Sequence, residues 1–165
     1  MAGSAETDGG MAHEADWKFR QAASAFARQG YAIGGRVDPA WLGRTANDSV
    51  SPRQLLGAVR SANAGVGERP AFVVSVEATV GLVCQSCSAP FDQAIDSSST
   101  VWVAADRAEL ARWDEAGEAS AESIEGTEQV SALELVEDEL LLSLPYVARC
   151  PVCAASDEPR RHEFS

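Results

Sequence analysis

The sequence predicts an α+β domain, a small antiparallel sheet with packed helices, clipped by a four-cysteine metal site. Three observations carry this. From Phe72, one side of a two-residue alternation is Phe72, Val74, Val76, Ala78, Val80 and Leu82, and the other is Ser75, Glu77 and Thr79. That is the pattern of a strand with one wet face. In SALELVEDELLLSLP, Leu133, Val136, Leu140 and Leu144 recur at helical spacing. The four cysteines form two like pairs, Cys84-Gln85-Ser86-Cys87 and Cys150-Pro151-Val152-Cys153.

The 165 residues, 45% hydrophobic and 23% charged, suit one domain with a core of its own. Residues 1–15 are small and polar and read as a disordered tail, 16–153 as the domain, and 154–165 as a second tail. No apolar run approaches the roughly 20 residues of a membrane helix. The N-terminal stretch has neither a basic start nor an apolar block, so no secretory signal is expected. The cytoplasm is the expected compartment, where paired cysteines hold metal more often than they form disulfides.

In chain order, DWKFRQAASAFARQ is helix-compatible, with Phe19, Ala22, Ala23 and Phe26 on one side and Gly30 as a stop. YAIGGRV suits a short strand weakened by its glycine pair. Asp38-Pro39 is an N-cap followed by proline and opens a helix over PAWLGRTA. Ser51-Pro52 opens another over PRQLLGAVR, and SANAGVGERP is a loop. Beyond Cys87, PFDQAI and STVWVAA are extended segments that pair back onto the central strand. ADRAELARWDEA is helical through Leu110 and Trp113. The acidic stretch about 117–130 has almost no large apolar group and reads as a mobile excursion. Ser131 and Glu134 form a capping box for the leucine helix, which Pro145 ends.

Charge is split along the chain. The net is −12, which argues against a protein that simply coats nucleic acid. Between Trp17 and Pro70, eight cations face three carboxylates, whereas from Asp92 to Glu139 fourteen carboxylates face two arginines. Such a split suits an adaptor between an anionic and a cationic partner, or two solvated faces with no binding role. Arg36 and Arg44 are the partner-binding candidates on the basic side, and Glu137, Asp138 and Glu139 on the acidic side. The acidic trio also reads as a solvated face that complements the helix dipole.

For the cysteines, the metal reading is a structural zinc site of Cys84, Cys87, Cys150 and Cys153. Zinc binds thiolates tetrahedrally at about 2.3 Å, and a closed shell of sulfurs leaves no position for substrate. The alternatives are reduced free thiols or a redox pair. A redox centre normally sits at a helix N-terminus that lowers a thiol pKa, whereas Cys84 ends a strand and Cys150 follows a helix. Catalytic chemistry has little to draw on, since His13 and His162 both fall in the expected tails. For RNA, the arginines suit phosphate, and Trp17, Tyr31 or Trp41 suit stacking on an unpaired base. Trp17 and Trp41 equally suit core anchors.

Two blocks resemble the YceD family, the large ribosomal RNA subunit accumulation proteins. One is Val80 to Phe91, with Cys84, Cys87, Pro90 and Phe91. The other is Leu135-Val136-Glu137-Asp138-Glu139-Leu140, followed by leucines and Pro145. The resemblance covers most of residues 17–153. It implies a cytoplasmic, non-enzymatic factor supporting synthesis, processing or stability of 23S rRNA and large-subunit biogenesis. The implied partner is large-subunit rRNA or its precursors; the acidic region Asp92–Glu139 makes a basic ribosomal protein the competing partner, and no membrane is expected. No catalytic residue comes with the resemblance.

Overall fold

The structure, a computed structural model, describes residues 13–44, 50–64, 69–115 and 122–157. Its centre is a meander of three long strands, β3 (Val50–Ala64), β4 (Arg69–Val83) and β5 (Pro90–Ala104), each of 15 residues. Ahead of them come α1 (Glu14–Lys18), β1 (Arg20–Ala22), α2 (Ala23–Phe26), β2 (Ala32–Val37) and a 3-10 turn over Pro39–Trp41. Behind them come α3 (Arg107–Glu115), β6 (Glu122–Glu125), β7 (Gln129–Ser131), α4 (Ala132–Ser143) and α5 (Pro151–Asp157). The main sheet has the order β2-β3-β4-β5-β6, and β1 pairs with β7 in a separate ribbon.

The alternation in β4 sets the architecture. Phe72, Val74, Val76, Ala78, Val80 and Leu82 are all buried, on the face that α4 covers. On α4, Leu133, Val136 and Leu140 are buried as their spacing predicts, and Leu144 is half-buried. Fully burying one such side chain is worth about 1.5–3 kcal/mol. The capping box forms as expected: Ser131 Oγ accepts from the Glu134 amide and Glu134 Oε1 accepts from the Ser131 amide, both at 3.1 Å. The helix lies close to the sheet because β3 offers Gly57 beneath it; a Cβ there would come within 2.9 Å of Val136.

The pairing is antiparallel except for β5 with β6, which is parallel and joined through α3. A parallel pair needs such a crossover, whereas antiparallel neighbours can be joined by a hairpin. Trp113 of α3 meets Trp102 edge to face at 6.2 Å, and the Arg69 guanidinium lies over both rings.

Several expectations are corrected. The PRQLLGAVR helix is strand β3: Pro52 to Arg60 pair with β4 and β2, with a bulge between Arg53 and Leu56. PAWLGRTA keeps its Asp38 cap on the Ala40 amide, yet its described part makes only a 3-10 turn before Leu42 enters the core, and residues 45–46 lie outside the described residues. The first helix breaks into α1, β1 and α2, because residues 20–22 pair with β7 and leave Phe19 61% exposed. PFDQAI and STVWVAA are one unbroken strand. In the acidic excursion, residues 117–121 lie outside the described residues, while Glu122–Glu125 form edge strand β6. Charged residues suit an edge that should pair no further. The N-terminal tail lies outside the described residues through residue 12, and α5 runs past 153 into the expected C-terminal tail.

Candidate metal centre

Strand β4 ends at Val83 and delivers Cys84 to the tip of the β4–β5 hairpin. The Cys84 amide donates to the Ala89 carbonyl at 2.9 Å, and the Ser88 amide donates to the Cys84 carbonyl at 2.8 Å. Ser88 takes a positive φ of 65°, closing the turn. The Ser86 amide points at Cys84 Sγ at 3.4 Å. The second pair arrives from the other end of the chain, where Pro145 releases α4 and Cys150 precedes α5. A clasp joins the two loops: the Gln85 amide donates to the Ala148 carbonyl at 2.8 Å, and the Arg149 side chain donates to Ser86 Oγ at 3.1 and 3.3 Å.

Between these turns the Sγ atoms of Cys84, Cys87, Cys150 and Cys153 all lie within 4.8 Å of one another. Cys87 and Cys150 stand 3.9 Å apart, and none of the four is in a disulfide. Tetrahedral geometry with metal–sulfur bonds of about 2.3 Å sets sulfurs about 3.8 Å apart, so the spacing is compatible with one ion. Cys84 and Cys150 are buried, Cys153 is half-buried and Cys87 is exposed.

The thiols differ in acidity. The Cys84 thiol is lowered to about 6, first by the backbone amide of Cys150 and then by that of Cys87. The Cys153 thiol is raised to about 12, first by its hydrogen bond to the Cys150 side chain and then by those to Cys84 and Cys87. The expected placement against a redox pair holds only for Cys84 and Cys87. Cys150 and Cys153 stand at the start of α5, a short helix in a segment expected to be partly tail.

The acidic trio is not a solvated face. Glu137 is 4% exposed and Glu139 is 5% exposed, while Asp138 faces solvent. The backbone amide of Arg44 donates to Glu137 Oε2 at 2.7 Å, and Ser97 Oγ donates to Glu139 Oε2 at 2.5 Å. Arg44 also pairs with Asp138 at 2.6 Å, which raises its pKa above the ordinary arginine value. One basic candidate is thus tied to two of the acidic ones. Ser97 gave no signal in the sequence; only the register Val76↔Ser97 brings it beneath α4. Trp17 is fully buried, and Tyr31 packs edge to face on Phe26 at 5.0 Å. Arg36 and Trp41 line one open cleft.

Among the described residues, no helix is long and apolar enough to cross a membrane. Comparison with curated proteins and with solved structures gives no match. Residues 72–163 match the family model described as large ribosomal RNA subunit accumulation protein YceD. The match takes in β4 from Phe72 onward, both cysteine pairs and α4, and leaves α1 through β3 outside it. Since it takes in more than half of the chain, the chain belongs to the YceD family, named for accumulation of the large ribosomal subunit RNA.

Proposed function

We propose that this protein is a non-enzymatic, cytoplasmic factor supporting 23S rRNA accumulation and large-subunit biogenesis, and that its four cysteines hold a structural zinc ion. The family match over residues 72–163 carries the functional half. The convergence of four sulfurs within 4.8 Å supports the metal half. Zinc suits an all-thiolate tetrahedral donor set, and a closed sulfur shell gives it a structural role. It staples the segment beyond α4 to the β4–β5 hairpin.

In this reading the protein contacts precursors of the large subunit, through RNA or through a basic ribosomal protein. The observation favouring the protein partner is the carboxylate-rich side formed by β6 and α4, where Glu122, Glu128, Asp138 and Glu139 line one cavity. A deletion strain complemented with the tagged full chain tests this. The expected result is a 23S deficit relieved by complementation, with the protein crosslinked to large-subunit precursors. Normal large-subunit levels in the deletion strain would overturn it. A redox role predicts instead a low-pKa cysteine and reversible disulfide formation among the four thiols.

A further inference from the structure

The main sheet has a second face, opposite the one that α4 covers. In β4 the residues from Val73 to Gly81 that alternate with the buried set lie on it, together with their register partners in β3 and β5. At one end α3 reaches this face, where Trp113 meets Trp102. Farther along, Leu56, Glu77, Ala94, Asp96 and Ser98 are exposed. The row beside Leu56 is made of small residues, Gly34↔Ala58↔Ser75↔Ser98, so no bulky side chain stands above the sheet there.

Charge on this face is sorted by strand. β2 and β3 contribute Arg36, Arg53 and Arg60 and no carboxylate. β4 and β5 contribute Glu77, Asp92 and Asp96, and their one cation, Arg69, lies over the rings of Trp102 and Trp113. Arg53 pairs with Asp92 across Gly81. Among the described residues, Arg36, Arg60, Glu77 and Asp96 form no ion pair. Glu77 and Asp96 stand directly opposite each other, a like-charge pairing that destabilises a sheet. The row that holds them reads Arg36↔Leu56↔Glu77↔Asp96. Its basic end is three strands, or about 14 Å, from its acidic end, with the 44% exposed Leu56 between.

A two-fold axis parallel to the strands, passing between β3 and β4, reverses this row onto itself. Arg36 then faces the partner's Asp96, Leu56 lies along the stem of the partner's Glu77, and symmetry makes each contact twice. Sheets packed face to face lie about 10 Å apart, a gap that an arginine and an aspartate side chain bridge together. A two-fold axis perpendicular to the strands would instead set Arg36 against Arg36, so the charges select one orientation.

We infer that this open face is a homodimer interface, two copies packing sheet to sheet with basic strands over acidic ones. The inference goes beyond the assembly reading and needs neither RNA nor a ribosomal protein. The face from the Val73 row to the Gly81 row projects on the order of 500 Å². That is a small interface, so dissociation in the micromolar range is expected.

Sedimentation equilibrium of the full-length chain in reducing buffer, across micromolar concentrations, tests this. The wild type is expected to dimerise, and added salt to weaken the dimer. Arg36→Glu alone and Asp96→Arg alone each weaken it by about tenfold or more, because each sets like charges together at two places. Mixing these two single variants restores a dimer, since position 36 of one then meets position 96 of the other with opposite charge at both contacts. Arg28→Glu, beyond α2, makes the same change in net charge as Arg36→Glu and shifts dissociation by less than about twofold. A monomeric wild type, a dimer indifferent to the single reversals, or a mixture that stays monomeric would each overturn the assignment. Misfolding of a single variant cannot imitate the expected result, because a misfolded chain would not recover on mixing.

Discussion

The amide of Arg44 and Oε2 of Glu137 lie 2.7 Å apart, joining the stretch after the 3-10 turn to the middle of α4. Glu137 and Asp138 are neighbours in sequence and both take Arg44, yet only Glu137 is buried. Their energetic weights therefore differ. Glu137→Ala strands the Arg44 amide and opens a hole beside the core, so a loss of about 1–3 kcal/mol is expected in denaturant unfolding. Asp138→Ala removes an exposed pair and costs less than about 1 kcal/mol. Equal losses would contradict this division.

The close approach of α4 to β3 at Gly57 gives a steric prediction. A Cβ at that position meets Val136 Cγ1 at 2.9 Å and Cγ2 at 3.0 Å. Val136 is fully buried and has no flexible end to swing away. Gly57→Ala is expected to cost about 1–3 kcal/mol, the usual range for overpacking. Adding Val136→Ala should recover part of that loss, so the double variant falls short of the sum of the single losses. Strict additivity would show that helix and sheet shift apart instead.

What the sequence shows plainly, it shows through unbroken periods. From Phe72 to Val83 strand β4 alternates without interruption, and its burial follows the alternation residue by residue. The Ser131–Glu134 box and the leucine spacing locate α4 to within a residue. Strand β3 hides because the bulge between Arg53 and Leu56 breaks its alternation. Leu55, Leu56 and Val59 then fall at spacings that also suit a helix. Leu55 and Val59 do enter the core, whereas Leu56 is turned outward. β1 hides for a different reason: its partner β7 lies more than a hundred residues away.

The site shows the same division. Two-residue spacing marked each cysteine pair, but their meeting depends on the Gln85–Ala148 hydrogen bond and the turn after α4, neither of which has a local pattern. The acidic trio misleads because charge in a sequence suggests exposure. Arg44 and Ser97, distant in sequence, supply the partners that let Glu137 and Glu139 sit inside.

Glu122 at the sheet edge yields a prediction with pH. Its pKa is raised, first by burial and then by the charges of Glu139 and Asp138. A carboxyl raised on folding favours the folded state most when protonated, so its contribution is complete below the ordinary carboxylate range. That contribution is lost as pH rises through the folded-state pKa. Glu122→Gln removes the repulsion at neutral pH. A gain of less than about 1 kcal/mol is expected at pH 7, since the residue stays largely open to solvent screening despite its partial burial. The gain should vanish near pH 4. A gain that persists in acid would assign the effect to packing.

The last prediction concerns the sulfur cluster. The Gln85–Ala148 hydrogen bond and the Arg149–Ser86 pair are among the contacts that join the two loops. An ion bound by all four thiolates adds its binding free energy to folding. Native mass spectrometry of the purified chain should therefore find one zinc per molecule, and a strong chelator should lower Tm. Cys84→Ser replaces a buried thiolate whose pKa lies at about 6, the most readily deprotonated of the shifted thiols. Its zinc affinity should fall by more than the roughly 10- to 100-fold that losing an outer hydrogen bond to a ligand costs. The melting curve of the variant should match that of chelated wild-type protein. The half-buried Cys153, raised to about 12, is the thiol that most needs the cation in order to ionise, so Cys153→Ser should also lose metal. A metal-free wild type as thermostable as the zinc-loaded form would show that hydrogen bonds alone hold the two loops together.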